Sequence, residues 1–181
     1  MIRRLLFFCA ALLLVQAIGA VGTSVHAQSV ENKSLLGSYN DWDAWRARYS
    51  DGSVVCFMLS EVEDWSASRK NVRRGDIYTI VSHRPEADVR DEVNVVVGYP
   101  FKEGSTATAV IDGSESFEMF TKGDGAWNYD SQADKEMVAA MKKGLKLVVR
   151  GTSSRGTRTT DTYSLSGFTA AHNAISDACR M

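Results

Sequence analysis

The chain has 181 residues, and its 21 Lys and Arg against 22 Asp and Glu give a formal net charge of −1 at pH 7. This length fits one domain of ordinary size. A nearly neutral, slightly acidic chain argues against nucleic acid and anionic membrane as main partners. Beyond the N-terminus, no stretch approaches the roughly 20 apolar residues of a membrane-spanning helix.

The N-terminus has the three parts of a secretory signal peptide. Arg3 and Arg4 precede an apolar run over residues 5–15, and Val25 and Ala27 occupy the −3 and −1 positions of a cleavage site. Cleavage after residue 27 would leave 154 residues (181 − 27) with a net charge of −3 (19 − 22). The sequence therefore predicts export to the periplasm or cell envelope. Retention of the run as an anchor is the alternative, but the run is too short to span a membrane comfortably.

Removal of residues 1–27 would also remove Cys9 and leave Cys56 and Cys179. An even pair of cysteines in an oxidising compartment predicts one disulfide, here between an early strand and the last element of the fold. Two separate buried thiols are the alternative.

Short strands dominate the predicted mature chain. Residues 28–40 are polar without periodicity and are predicted to be a flexible leader, followed by a single domain over 41–181. Within that domain, apolar alternation and turn signals predict strands over 41–49, 53–59, 76–84, 92–99, 105–111, 116–121, 125–129, 145–150 and 158–166. The charged residues 61–75 are predicted to form an exposed, mobile loop.

Two segments have helical spacing of apolar residues. The first is predicted to begin at Ser131 as N-cap, with Asp134 three residues on, and to end at Gly144. The second covers 168–179. Short strands joined by turns, with only two short helices, predict a mainly β fold, an antiparallel β-sandwich or flattened barrel of about eight strands. Cys179 would hold the C-terminal helix against it.

Several motifs along the chain carry a family resemblance. They include EVNVVVGYPFKEGS over 92–105, FTKGD over 120–124, MVAAMKKG over 137–144 and DTYSLSGFT over 161–169. Together they resemble the invasion-associated locus B family of Gram-negative bacteria, from roughly Trp42 to Cys179. The resemblance implies an exported protein of the periplasm or cell envelope with a cysteine pair, and a name linked to virulence through host-cell entry. It supplies no catalytic residues.

Catalytic and metal-binding motifs are missing from the sequence of the predicted mature chain. Its two histidines, His83 and His172, lie outside any nucleophile motif such as G-x-S-x-G, and there is no CxxC or HExxH. No catalytic, metal or cofactor-binding residue is predicted, which favours a protein that is not an enzyme. A hydrolase that uses His83 or His172 is the enzymatic alternative.

The segment 151–157 resembles a phosphate-binding loop only superficially. It lacks the Gly-Lys-Ser/Thr ending, and a strand rather than a helix follows it. It is therefore predicted to be a hairpin loop in which Arg155 is exposed or pairs with Asp161.

The four tryptophans differ in position. Trp45 and Trp127 lie within strand patterns and are predicted to be core residues. Trp42 and Trp65 lie at a strand start and in the charged segment, and they are predicted either to be exposed for binding or to be partly buried under a loop.

The charged segment supplies the candidate interaction surface, which consists of Trp65, Arg69, Lys70, Arg73 and Arg74. Tryptophan beside arginine is typical of partner-binding surfaces. We expect a non-enzymatic envelope protein that binds a macromolecular partner here, either an envelope or host protein or a glycan, with a role in invasion or envelope integrity. The alternative is a small glycan or lipid ligand held between two sheets.

Overall fold

The computed structural model describes residues 29–181. The predicted signal peptide lies outside the described residues. The strands are β1 (Val30–Tyr39), β2 (Trp42–Tyr49), β3 (Val54–Glu61), β4 (Asp64–Ala67), β5 (Tyr78–Arg84), β6 (Val89–Val96), β7 (Thr106–Ile111), β8 (Glu115–Lys122), β9 (Gly125–Trp127), β10 (Lys146–Thr152) and β11 (Arg158–Ser164). The helices are α1 (Ser131–Met141), α2 (Phe168–Cys179) and a short 3-10 turn, Pro85–Ala87.

All eleven strands belong to one antiparallel sheet. Its order is β1-β2-β3-β5-β6-β9-β8-β7-β10-β11-β4, so β1 and β4 are the two edges. The prediction of a mainly β fold with two α-helices, the last at the C-terminus, is confirmed. The prediction of a sandwich or flattened barrel of about eight strands is wrong, because the sheet is single and open. Alternation along a strand shows that one face is buried, but not what covers that face.

The sheet coils until its far edge returns to its first strands. β4 starts three residues after β3 ends, yet it pairs with β11 at the opposite end of the sheet. The Trp42 indole Nε1 donates to the Ser164 carbonyl over 3.0 Å and joins β2 to the end of β11. One core fills the coil, and its largest fully buried side chains include Trp42, Met58, Ile111, Met119, Leu147, Tyr163 and Phe168.

Three of the four tryptophans differ in burial from what their positions predict, whereas Trp65 is 40% exposed, in agreement with its prediction. Trp42 is fully buried, because its apolar ring lies in the core and its single donor is satisfied there. Trp45 and Trp127, predicted core residues, are only partly buried. A strand pattern identifies a face, but the coiling of the sheet decides which part of that face is covered.

Two predicted loops contain strands. Residues 30–39, predicted to be part of a flexible leader, form the edge strand β1 and pair with β2 along its length. Most of β1 is exposed, so it needs no apolar alternation, and its polar residues suit a sheet edge. The segment 61–75, predicted to be a loop, contains β4 as a second edge strand.

The first helix starts one residue earlier than its sequence predicts. Asp130 is the N-cap, in extended conformation, and its carboxylate accepts from the Ala133 backbone N–H over 2.9 Å. Asp134, predicted to complete a capping box, is buried instead. It accepts from the Val93 N–H over 3.0 Å and from the Asn128 amide over 2.9 Å, and so ties α1 to β6.

The second helix closes one end of the core. It packs against β1, β2, β3 and β5, and its Phe168 ring meets the Trp42 ring edge-on at 4.8 Å. Cys179, its last residue, forms the predicted disulfide with Cys56 of β3, across a sequence separation of 123. Gly167 precedes the helix with φ 89°, and a side chain there would collide with the Tyr39 backbone.

Candidate functional site

A cavity of about 640 Å³ opens beside the segment that joins β4 to β5. We call it the basic groove. Its lining contains Arg69, Lys70, Arg73 and Arg155, together with parts of 98–100 and 153–159, and among the described residues no carboxylate lines it. All four cationic residues are exposed.

One buried arginine fixes the segment that carries the groove. The Arg74 guanidinium donates two parallel hydrogen bonds to the Asp161 carboxylate, over 2.5 and 2.6 Å, and two more to the Val97 carbonyl, over 2.9 and 2.8 Å. The Arg74 and Asp161 side chains are only 2% and 1% exposed. The bidentate pair thus anchors the β4–β5 segment to β11 and to the end of β6.

A close backbone contact holds the same segment. The Gly75 N–H donates to the Gly98 carbonyl over 2.8 Å, and Gly98 has φ +67°. A Cβ on Gly98 would lie 2.6 to 2.8 Å from the Gly75 backbone, so only glycine fits at this position.

Two aromatic rings cover the buried arginine. The Trp65 and Tyr99 ring centroids each lie 5.1 Å from Arg74 Cζ, within cation–π range. Tyr99 also shares a 2.6 Å hydrogen bond with the Thr159 hydroxyl. Burial raises the pKa of Tyr99, and the Thr159 hydrogen bond only partly opposes this, so the phenol stays protonated near neutral pH.

The predicted interaction surface is therefore divided. Arg69, Lys70 and Arg73 line the basic groove, but Arg74 is buried and Trp65 lies over Arg74 outside the groove lining. Arg155 is exposed in the groove, as one of its two predicted alternatives had it, and Asp161 pairs with Arg74 instead. Sequence reasoning did not place Arg155 with the other three cations. The sequence around Arg155 predicts only a hairpin loop.

Both histidines of the described residues lie in one buried cluster, the histidine network, which consists of His83, Asp91, His172 and Ser176. His172 Nε2 lies 2.6 Å from the Asp91 carboxylate, and His83 Nε2 lies 3.1 Å from the Ser176 hydroxyl. Ser176 Oγ is 3.4 Å from His172 Nδ1, and the Asp91 backbone N–H donates to His83 Nδ1 over 3.1 Å. His83 and His172 are 0% and 1% exposed.

One set of donor and acceptor roles satisfies the whole network. Since His83 Nδ1 accepts from a backbone N–H, its Nε2–H donates to Ser176. The Ser176 hydroxyl then donates to His172 Nδ1, and His172 Nε2–H donates to Asp91. Burial lowers the pKa of His83 to about 4, against the opposing charge of Asp91. Burial raises the pKa of Asp91, but the hydrogen bond that its carboxylate accepts from His172, together with the nearby His83 and Arg90 side chains, outweighs burial and lowers that pKa.

The nitrogen and oxygen atoms of the histidine network are spaced for hydrogen bonds and not for the coordination of a metal ion. Ligand atoms of His83, Asp91 and His172 lie within 4.8 Å of one another. However, His83 Nδ1 already accepts the Asp91 N–H, and 2.6 Å between the His172 and Asp91 atoms is a hydrogen-bond distance. Two ligands of one tetrahedral zinc, each about 2.0–2.1 Å from the ion, would stand farther apart.

Ser176, His172 and Asp91 also have the residue types of a hydrolase triad. Ser176, however, lies in the last turn of α2, where backbone N–H groups are bonded within the helix and the dipole is negative. That environment disfavours the oxyanion that acyl transfer must stabilise. Sequence reasoning named both histidines but did not connect Asp91 or Ser176 with them. Only the spacing of four residues between His172 and Ser176 pointed to a shared helix face.

An antiparallel sheet tied by a disulfide to a C-terminal helix defines a small, mainly β protein of one core. The family model described as Invasion associated locus B (IalB) protein matches residues 42–176, which is more than half of the chain. The chain belongs to this family. No curated protein and no solved structure matches it.

Family membership and the disulfide suggest an exported protein. Within residues 29–181, no helix has the length and apolar character needed to cross a membrane.

Proposed function

We propose that this protein is an exported, non-enzymatic envelope protein that binds an acidic segment of a partner protein in the basic groove. One observation carries the proposal. Four cationic side chains line a single groove without a carboxylate among the described lining residues, in a chain whose net charge is −1.

The cationic side chains of the basic groove are not neutralised by carboxylates of the described residues. Within the described residues, none of Arg69, Lys70, Arg73 and Arg155 forms an ion pair, whereas Arg74 and Arg84 each bind a carboxylate in bidentate fashion. Like charges gathered in one concavity repel each other and raise the local positive potential. An anionic partner relieves this repulsion, so the arrangement favours an acidic ligand.

The other groove groups suit a peptide. The Ser154 and Thr157 hydroxyls supply hydrogen-bonding groups, and Val72 and Pro100 add apolar surface. Charge complementarity of this kind gives specificity and speeds association more than it adds raw affinity. The family description associates such proteins with invasion, and an acidic protein of the envelope or of a host cell is the partner we propose. A ligand between two sheets has less support, because the coil of the single sheet is filled by the core.

A fluorescence anisotropy titration with a labelled glutamate-rich peptide tests the proposal. We expect binding that weakens as salt rises, because the Debye length falls from about 30 Å at 0.01 M to about 8 Å at 0.15 M ionic strength. The double variant Arg69→Glu, Arg73→Glu should lose at least about tenfold in affinity. The matched control, Lys135→Glu with Lys143→Glu, reverses two exposed charges of the α1 region that do not line the groove, and it should bind as the parent does.

Two results would contradict the basic groove as the binding site. One is equal affinity for the glutamate peptide and for a glutamine peptide of the same length. The other is equal loss of binding in the groove variant and in the α1 control, since that would reflect overall charge and not the groove.

A further inference from the structure

A second cavity, of about 520 Å³, lies where β8 and β9 meet the start of α1. We call it the aromatic cavity. Phe120, Trp127 and Tyr129 line it, and the Phe120 and Tyr129 side chains are 37% and 58% exposed. The Phe120 and Trp127 rings lie nearly parallel, 22° apart with centroids separated by 5.8 Å, and the Tyr129 ring is 5.6 Å from Phe120. Together the three rings form an apolar platform in which the Tyr129 ring is tilted by 52° to the Phe120 ring.

The sheet register builds this platform. Phe120 of β8 pairs directly with Trp127 of β9, so their side chains share one face. Gly125 lies two residues before Trp127 and on the same face. A Cβ on Gly125 would overlap the indole ring, so the missing side chain lets the indole lie over the strand.

The polar lining of the aromatic cavity offers hydrogen-bond acceptors and carries more negative than positive charge. Four carboxylates and two cations line it: Asp88, Glu92, Asp130, Asp134, Arg90 and Lys122. Three of the carboxylates are already engaged within the protein, since Glu92 binds Arg84, Asp130 caps α1, and Asp134 accepts from Val93 and Asn128.

Asn128 adds an observation of a different kind. It also lines the cavity and is only 5% exposed. Its side-chain oxygen Oδ1 has no hydrogen-bond partner among the described residues. A buried acceptor without a partner is costly in a folded protein. Because this oxygen has almost no accessible surface, a ligand hydroxyl reaches it only when the Asn128 side chain turns toward the cavity.

We propose that the aromatic cavity binds a neutral sugar ring. The aromatic platform covers the C–H face of the sugar ring, and the sugar hydroxyls donate to the surrounding carboxylates. An anionic ligand would meet an excess of carboxylates. A quaternary ammonium ligand requires rings that surround it, whereas Phe120 and Trp127 stack against each other. This site is separate from the basic groove and independent of the function proposed for that groove.

Amide and indole NMR shifts on addition of maltotriose, cellotriose or chitotriose test the proposal. We expect at least one of these neutral trisaccharides to shift the Trp127 indole signal. Tyr129→Ala should weaken that binding at least about tenfold, while Tyr129→Phe, which keeps the ring, should bind as the parent does. Trp65→Ala, which removes an exposed aromatic side chain outside the cavity, is the matched control and should leave the binding unchanged.

Three results would overturn the sugar site. They are no Trp127 shift with any of the three sugars at millimolar concentration, equal binding by Tyr129→Ala, or a shift with choline but none with the sugars. Because Tyr129 is largely exposed, its variants should fold, which the dispersion of the same spectra checks. The double variant Arg69→Glu, Arg73→Glu should bind sugar normally, so failure here is distinguishable from failure of the groove proposal.

Discussion

Two neighbouring arginines, Arg73 and Arg74, show how far one residue type can differ in role within one segment. Arg73 is exposed in the basic groove, whereas Arg74 is buried against Asp161. A guanidinium is buried only where fixed acceptors replace its water, and Asp161 and the Val97 carbonyl do this for Arg74. Arg74 is buried because it has an acidic partner 87 residues along the chain, Asp161, and Arg73 does not share that partner.

His83 should make the stability of the protein depend on pH. Its pKa is about 4 in the folded protein and 6.5 in the unfolded chain, so the unfolded state binds more protons between these values. The free energy of unfolding should therefore fall as pH drops from 6.5 to 4, by up to about 3 kcal/mol. His83→Gln should flatten this part of the curve, and Ser82→Ala on the same strand should not. Urea denaturation across this pH range measures the effect.

Two buried carboxylates, Asp91 and Asp134, also make the free energy of unfolding depend on pH, in opposite directions. Asp91, whose pKa is lowered, adds a loss of stability as pH falls through its folded value, and Asp134, whose pKa is raised by burial, acts in the opposite direction. His172 and Arg90 are the other charged or titratable groups that face His83. An identical slope in His83→Gln and the parent between pH 4 and 6.5 would contradict the assignment to His83.

At the scale of elements, α2 combines a local pattern with a covalent constraint. Its buried residues Phe168, Ala171, Ile175 and Cys179 follow helical spacing, as the sequence predicts. The helix caps the coil at β2, β3 and β5, and the disulfide fixes its last turn to β3. Packing and the disulfide therefore both hold α2 against the sheet.

Removal of the disulfide should destabilise the protein and loosen α2. In the chain-entropy model, a loop closed over 123 residues contributes up to about 5 kcal/mol. Cys56→Ala with Cys179→Ala should lower the urea midpoint and speed hydrogen exchange in α2. Alanine is chosen because Cys56 is fully buried and serine would bury a hydroxyl. An unchanged midpoint, or free Cys56 and Cys179 thiols in the denatured, unreduced parent, would contradict this account.

At the scale of the whole molecule, a single open sheet encloses a core because its two ends are held together. β4 pairs with β11, Trp42 donates to the end of β11, and Arg74 joins the β4–β5 segment to Asp161. These contacts link residues that are distant along the chain, and the same links position the basic groove.

Loss of the Asp161 charge should weaken this closure. Asp161→Asn keeps the side-chain volume but leaves the buried Arg74 charge uncompensated, which costs about 3–5 kcal/mol. Glu92→Gln at the Arg84 pair, whose side chains are 36% and 28% exposed, should cost less than about 1 kcal/mol. The double variant Arg74→Met, Asp161→Leu should recover much of the loss because it removes both charges. Urea midpoints compare the three variants, and equal effects of Asp161→Asn and Glu92→Gln would contradict the argument.

The sequence by itself determined the features that depend on near neighbours in the chain. Period-two and helical patterns located α2 and most strands, such as β3 and β7, and the two cysteines that remain after residue 27 predicted the Cys56–Cys179 bond. The edge strand β1 escaped detection because an exposed edge needs no apolar pattern.

Only the tertiary structure decided which strands are neighbours, which arginine is buried and which groups surround the histidines. His83 and Ser176 are 93 residues apart, and Arg155 joins the cations of the β4–β5 segment across a similar distance. Periodicity records which face of an element is apolar, but it carries no information about the partner of that face. Burial, ion pairing and pKa depend on that partner, so they are set when the sheet coils and brings distant residues together.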